Sequence, residues 1–139
     1  MEVYLIKKIK NKQNLLFLIE FENINIKFGG FISSKIDKFY PSSISDENAF
    51  IFTFKDNKPM KFNIKKDKKD KAFYLCHKSD SLNRLFEIGN DDIRIYKQNI
   101  KSSIYQNENS AFNYQGIENA LIGKTGGFSP KRIMVFQME

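Results

Sequence analysis

The sequence predicts a mostly β fold with a sandwich-like core, and three observations lead to that prediction. Short runs of alternating apolar and polar residues recur along the chain, separated by turn-forming residues. Phenylalanine occurs 14 times, and aromatic side chains suit a pleated, half-buried surface. Few segments have helical periodicity, which favours packed sheets over a helical bundle. The length of 139 residues fits one domain that can bury a sizeable core.

The pattern predicts one short helix followed by six or more strands. Apolar residues at positions 5, 6 and 9 suit an amphipathic helix over residues 3–9, although a strand is almost as compatible with this composition. Residues 15–22 and 24–28 are predicted to form a hairpin with a turn near Asn23, and Gly29-Gly30 predicts a bulge or a close backbone approach. Further strands are predicted at residues 49–54, 60–64, 72–76, 92–97 and 132–138. Residues 33–48 are predicted to be a surface loop, 77–90 and 100–115 to be irregular, and 117–122 to form one helical turn.

The net charge of +7 is dominated by lysine. Readers of nucleic acid favour arginine for its planar fork, so a lysine excess is the weaker signal, and abundant Asn, Lys and Ile are typical of an AT-rich genome. The densest run of lysines, over residues 55–71, suits either a solvated hairpin face or a patch that binds nucleic acid or an acidic membrane surface. The lysines of this candidate basic face are Lys58, Lys61, Lys65, Lys66, Lys68, Lys69 and Lys71.

The cysteine count and the lengths of the apolar runs predict the cellular compartment of the protein. Cys76 is the single cysteine, so the sequence forms no internal disulfide and a reducing compartment is expected. The longest apolar run is far shorter than a bilayer span, and the first residues lack the features of a signal peptide. We therefore expect a cytoplasmic or nuclear protein with no membrane span.

Cys76-His77 is the first pair that a catalytic interpretation would use. A cysteine nucleophile needs a histidine that converges on it in space, whereas adjacent residues on a strand point to opposite faces. The geometry favours Cys76 as a core or rim residue. An enzymatic or redox-reactive role for Cys76 remains an alternative hypothesis to a binding function.

Two other constellations are weak. Asp91-Asp92, with Asp80 and Glu87 nearby, lacks the ligand spacing of a calcium loop, so turn formation and strand capping explain it better. The segment 123–127 resembles a phosphate loop only faintly, because Glu118 occupies the position of the first glycine. The residues thus predict no catalytic site, no cofactor and no metal.

Taken in order, the motifs resemble the TLDc family. The landmarks that carry the resemblance include Phe28, Gly29, Gly30, Gly89 and Asp92. The matched elements are an apolar first strand at 15–19, an FGG[YF] element at 28–31, an AF[IL]FSL strand at 48–54, a short strand at 72–76, an FGxxDIxI segment at 89–95, and a closing strand at 120–128 and 131–136. Each motif is short, and their common order makes the resemblance specific.

The resemblance implies two antiparallel sheets packed as a sandwich with short edge helices, forming a single TLDc-like domain over residues 1–139. The chain departs from the family at its start, where it enters within the usual lead-in, so that residues 4–10 would be the remnant of a helix. It departs again at residues 85–89, where the family's Gly-Pro is missing. The family implies a non-catalytic protein-interaction domain linked to oxidative-stress protection, with subunits of the vacuolar proton-ATPase as a partner.

Overall fold

The computed structural model describes residues 2–21 and 26–139, with side chains described from Leu5 onward. The described residues form two five-stranded antiparallel sheets, as expected for a mostly β fold. The first sheet has the order β10-β1-β2-β3-β4, with β1 Leu15–Phe21, β2 Lys27–Ile32, β3 Phe50–Thr53, β4 Met60–Asn63 and β10 Pro130–Gln137. The second has the order β5-β6-β7-β8-β9, with β5 Phe73–Leu75, β6 Arg84–Ile88, β7 Ile93–Tyr96, β8 Ser102–Ile104 and β9 Gly126–Phe128.

The inner faces of the two sheets meet in an aromatic core. The ring of Phe17 on β1 lies 5.1 Å from that of Phe73 on β5 and 5.0 Å from that of Phe86 on β6, measured between centroids. All three side chains are completely buried. Aromatic side chains bury large areas and interact favourably at these separations. The sheets therefore pack face to face, which confirms the predicted sandwich-like core.

The helix α1 spans Glu2–Ile9, as predicted, and its Leu5 and Ile9 side chains join the core. Two 3-10 helices, η1 Lys55–Asn57 and η2 Lys66–Lys71, follow β3 and β4. None of the helices in the described part of the chain is long and apolar enough to cross a membrane.

Three strands were missed by the sequence-based prediction. β6 lies inside the segment predicted to be irregular, and all five of its side chains are buried, so it has no apolar–polar alternation. β8 and β9 have three residues each and contain serine or glycine, which leaves too short a pattern to detect. Residues 117–122 form turns with one helical hydrogen bond, from Gly123 N to Asn119 O at 3.0 Å, but no helix.

The segment 33–48 was predicted to be a surface loop, and this is only partly correct. Ile36 and Ile44 are buried in the core, and Ile44 forms an isolated bridge with Phe73 at the edge of the second sheet. Asp46 holds the segment in place, because its carboxylate accepts hydrogen bonds from the Ser33 hydroxyl at 2.6 Å and from Asn48 N at 3.0 Å. The segment is therefore a surface loop that is anchored to the sandwich by Ile36, Ile44 and Asp46.

The β1–β2 pairing was predicted correctly as a hairpin, while the turn near Asn23 lies outside the described residues. The bulge suggested for Gly29-Gly30 is wrong, because β2 pairs without a register shift with both β1 and β3. The structure instead has the predicted alternative, in which neighbouring groups approach the backbone of these glycines closely. A Cβ at Gly29 would collide with the backbone carbonyl of Phe17, and Gly30 faces Ile88 of the second sheet. Neither glycine has a positive φ, so crowding rather than backbone conformation requires them.

We expect Gly30→Ala to lower the free energy of unfolding by about 1–3 kcal/mol through overpacking. A Cβ at Gly30 would lie 3.1 Å from Ile88 Cδ1 and 3.3 Å from Ile51 Cγ2. Urea denaturation measures the loss. Because Ile88→Val removes the Cδ1 methyl, the double variant should lose less stability than the sum of the two single variants. Gly127→Ala is the matched control, since its nearest neighbour is a lysine methylene at 3.5 Å. Equal losses at positions 30 and 127 would contradict this explanation.

Candidate functional site

The outward side of the first sheet is apolar, which is unusual for a sheet surface in a small sandwich. Cross-strand partners in an antiparallel sheet share one face, so the register defines its rows. The three rows are Phe136-Leu16-Phe31-Phe50, Met134-Leu18-Gly29-Phe52, and Arg132-Glu20-Lys27 continued by Phe54. We call these residues, together with Lys61 opposite Phe52, the apolar outer face.

Aromatic rings run along β3 on this face. Phe31 stacks on Phe50 at 5.3 Å, and Phe52 meets Phe54 edge to face at 5.8 Å. The Phe52 ring lies over Gly29, whose missing side chain makes room for it. Phe54 and Phe136 at two edges of the face remain 43% and 45% exposed. Contiguous apolar surface of this kind marks interaction sites in soluble proteins.

An open groove of about 420 Å³ crosses the apolar outer face. Its walls and floor come mainly from Leu16, Leu18, Phe50, Phe52 and Phe54, with Pro59 at one end. The volume is within the range of ligand pockets, and the lining is almost entirely carbon. Such a groove can take up apolar side chains but offers few polar groups for chemistry.

The charged residues included in the apolar outer face lie along its border. Glu20 Oε1 accepts a hydrogen bond from the Arg132 guanidinium at 2.7 Å, and this bond, aided by the nearby Lys27, holds the pKa of Glu20 below its usual range. The Lys61 ammonium lies 4.3 Å from the centroid of the Phe50 ring. Among the described residues, the border thus carries the three cations Arg132, Lys27 and Lys61 and the one carboxylate Glu20.

The outward side of the second sheet differs, because ion pairs cover it. Arg84, which is 4% exposed, binds Asp80 at 3.1 Å and Glu87 at 3.1 Å. Glu87 also accepts a 2.7 Å hydrogen bond from Arg94, which pairs in turn with Asp91. Burial raises the pKa of Glu87, although Arg94 opposes this shift. Every charged residue of this network therefore has an oppositely charged partner within the network.

Asp92 is fully buried and joins separate parts of the chain. Its carboxylate accepts hydrogen bonds from Asn90 N at 3.0 Å, Ala111 N at 2.9 Å and the Tyr114 hydroxyl at 2.7 Å. Gly89 makes this possible, since its φ is +79° and a Cβ there would collide with the Asp92 carboxylate. Both residues of the predicted Gly89–Asp92 landmark therefore hold the turn between β6 and β7 against the segment 110–114.

The candidate basic face is spread over several surfaces of the domain. Lys58 precedes β4, Lys61 lies on the apolar outer face, and Lys65 follows β4, where its ammonium contacts the Glu108 carbonyl at 3.4 Å. Lys66, Lys68, Lys69 and Lys71 lie on η2. A continuous cluster is therefore limited to η2 and Lys65.

The remaining candidates have structural surroundings. Cys76 is buried, and burial raises the pKa of its thiol to about 12, so it is protonated at neutral pH. His77 is exposed, and its Nδ1 lies 2.8 Å from Ser79 Oγ. Gly126 and Gly127 belong to β9 rather than to a turn alone. Within the described ranges, no three His, Cys, Asp or Glu side chains converge as metal ligands.

Two packed antiparallel sheets, with a buried aspartate that fixes the segment after β8, define a β-sandwich domain of the kind that the sequence motifs resemble. The family model of the TLDc domain matches residues 3–121. Because the match covers most of the chain, the protein belongs to the TLDc domain family. β9 and β10 lie beyond the matched residues. Comparison with curated proteins finds no significant match.

We expect Asp92→Asn to destabilise the domain by about 2–3 kcal/mol at pH 5, because an amide NH₂ would face hydrogen-bond donors that the Asp92 carboxyl oxygens now accept from. Thermal and urea denaturation measure the change. Asp91→Asn is the matched control: its carboxylate is half exposed and pairs only with Arg94, so a loss of under about 1 kcal/mol is expected.

The loss at Asp92→Asn should depend on pH. Burial raises the pKa of Asp92 from 3.8 to about 6, although its four hydrogen-bond donors oppose this shift. A raised pKa means that the folded state binds the proton more tightly than the unfolded state. The contribution of Asp92 is therefore fully present below pH 3.8 and decreases as the pH rises through about 6. A loss that grows with rising pH would contradict this assignment.

Proposed function

We propose that this TLDc domain is a non-catalytic protein-interaction domain and that its apolar outer face is the binding surface. The observation that carries the proposal is the series of aromatic rings Phe31, Phe50, Phe52 and Phe54 beside an apolar groove. Phe31 and Phe50 are half-buried and Phe54 is exposed, while Phe52 is buried between its neighbours. Aromatic side chains dominate the energetics of protein interfaces, and an exposed apolar sheet face is otherwise an aggregation hazard.

The surroundings of the ionisable groups support a non-catalytic role. The Cys76 thiol lacks the lowered pKa of a nucleophile, and Arg84, Glu87 and Arg94 are bound to one another. Asp92 is buried and bonded to backbone amides. The groove contributes apolar side chains rather than an acid, a base or a nucleophile.

The TLDc family suggests the biological setting. We propose that the protein acts in the cytoplasm, or in the nucleus, in protection against oxidative stress, and that its partners include subunits of the vacuolar proton-ATPase. These details rest on family membership, to which the apolar outer face adds a surface that can bind a protein.

Affinity capture with the double variant Phe54→Asp/Phe136→Asp tests the binding surface. Both side chains are partly exposed at the edge of the face, so the change should cost little stability while placing charge on the interface. We expect proteins recovered by the wild type, ATPase subunits among them, to be reduced at least tenfold, as measured by quantitative mass spectrometry. A loss of about 1.4 kcal/mol in binding is sufficient for this.

Leu82→Asp is the control, since Leu82 is 57% exposed and lies in a turn before β6. Its recovered proteins should match those of the wild type. Recovery of the same partners by the Phe54→Asp/Phe136→Asp protein, with its melting temperature unchanged, would refute the proposed surface. Absence of any specific partner for the wild type would refute the proposed function.

The second candidate function is binding of nucleic acid or another acidic surface through η2. Lys66, Lys68, Lys69 and Lys71 fall within six residues, and none of these side chains is buried. If this candidate is correct, DNA or RNA should bind at low salt, affinity should fall steeply as salt rises, and Lys66→Glu/Lys69→Glu should abolish binding. Fluorescence anisotropy measures the affinity. No binding at low salt would exclude nucleic acid.

A further inference from the structure

The apolar outer face combines an aromatic groove with unmatched positive charge, and that combination specifies a ligand. We propose that it binds an amphipathic segment of a partner protein whose apolar side chains enter the groove and whose neighbouring residues are Asp or Glu. The inference rests on the proposed function and names the chemistry of the partner.

The shape of the groove accounts for the apolar side chains of the proposed segment. The lining of the groove combines Leu16 and Leu18 of β1 with Phe52, which lies against Gly29, and with Phe54 and Pro59 from the segment between β3 and β4. A volume of about 420 Å³ is too small for a folded domain and sufficient for a few side chains. A segment that presents apolar residues on one side, as a helix or a strand does, fits this groove.

The charges at the border account for the acidic residues of the proposed segment. Arg132 neutralises Glu20, with 2.7 Å between their atoms. Lys27 and Lys61 form no ion pair with any residue among 2–21 and 26–139. Lys27 lies in the same cross-strand row as Glu20. Lys61 lies opposite Phe52 in the neighbouring row, and its ammonium lies over the Phe50 ring. Carboxylates on both sides of a bound apolar segment would meet these two ammonium groups.

The positive charges at the border also disfavour binding of a second copy of this chain to the apolar outer face. A symmetric pair would bring each apolar outer face, with its net positive border, against an identical one. The net charge of +7 per chain adds to that repulsion. An acidic partner segment meets no such penalty.

Selection from a displayed library of random peptides tests the proposal whatever the identity of the partner. The full chain serves as bait, and the Phe54→Asp/Phe136→Asp protein removes clones that bind elsewhere. We expect enriched peptides to combine aromatic or aliphatic residues with Asp and Glu. Lys27→Glu/Lys61→Glu should weaken binding of a selected peptide about tenfold or more, and added salt should weaken wild-type binding.

Lys78→Glu/Lys101→Glu makes the same change in net charge on exposed lysines outside the face, and binding should stay within about twofold of the wild type. Circular dichroism confirms that each variant is folded. Enriched peptides without acidic bias, or equal weakening by both lysine pairs, would overturn the proposal, as would dimerisation in sedimentation that Phe54→Asp/Phe136→Asp abolishes. If no peptide is enriched while affinity capture still recovers partners through the face, the acidic segment is wrong and the proposed function stands.

Discussion

The carboxylate of Asp92 is the constraint on which the architecture depends most. It lies just before β7 in the second sheet and accepts hydrogen bonds from Ala111 N and Phe112 N. The same short segment reaches the first sheet at the end of β4, where Lys65 N donates to Ala111 O at 2.8 Å and Asn113 N donates to Asn63 O at 2.9 Å. One buried carboxyl group thereby connects both sheets through a segment whose regular structure is limited to an isolated β-bridge between Phe112 and Ile64. The buried Phe112 side chain fills the space between them, and Gly89 leaves room for both groups.

With the sheets joined in this way, the two outward surfaces are free to differ. On the second sheet, Glu87 pairs with both Arg84 and Arg94, and the Arg84 guanidinium also lies over the Tyr40 ring, so these charged groups are satisfied within the domain. On the first sheet, Phe50 is half-buried and Phe54, just after β3, is exposed, while Phe52 packs over Gly29. The core already has Phe17, Phe73 and Phe86, so the outward rings are better explained by binding than by stability. This difference between the faces is the physical basis for treating the first sheet as the binding surface.

Much of the fold could be predicted because β4 and β7 each have one face in the core and one outside, which gives their sequences an alternating pattern. β1 and β3 could be predicted because they are short apolar runs rich in residues that favour strands. β6 could not, because the ion pairs of Arg84 and Glu87 bury its polar residues and remove the alternation. Gly29 and Gly30 were recognised as sites of close approach, but the choice between a bulge and crowding needed the position of Ile88. The candidate binding surface was not predicted. Its residues come from all five strands of the first sheet, whereas the sequence pattern was interpreted one strand at a time. The signal that could have found it is that residues 49–54 are apolar at nearly every position, on both faces of the strand.

β10 pairs along its whole length with β1, so the first sheet joins two strands that are far apart in the sequence. Until β10 has left the ribosome, β1 presents an open edge of apolar residues with no partner on that side. Pairing of strands so distant in sequence is a slow step in folding, because the intervening chain must be ordered first. The nascent domain therefore passes through a period in which its most apolar strand is exposed, and a chaperone that shields extended apolar segments would act on it at that stage.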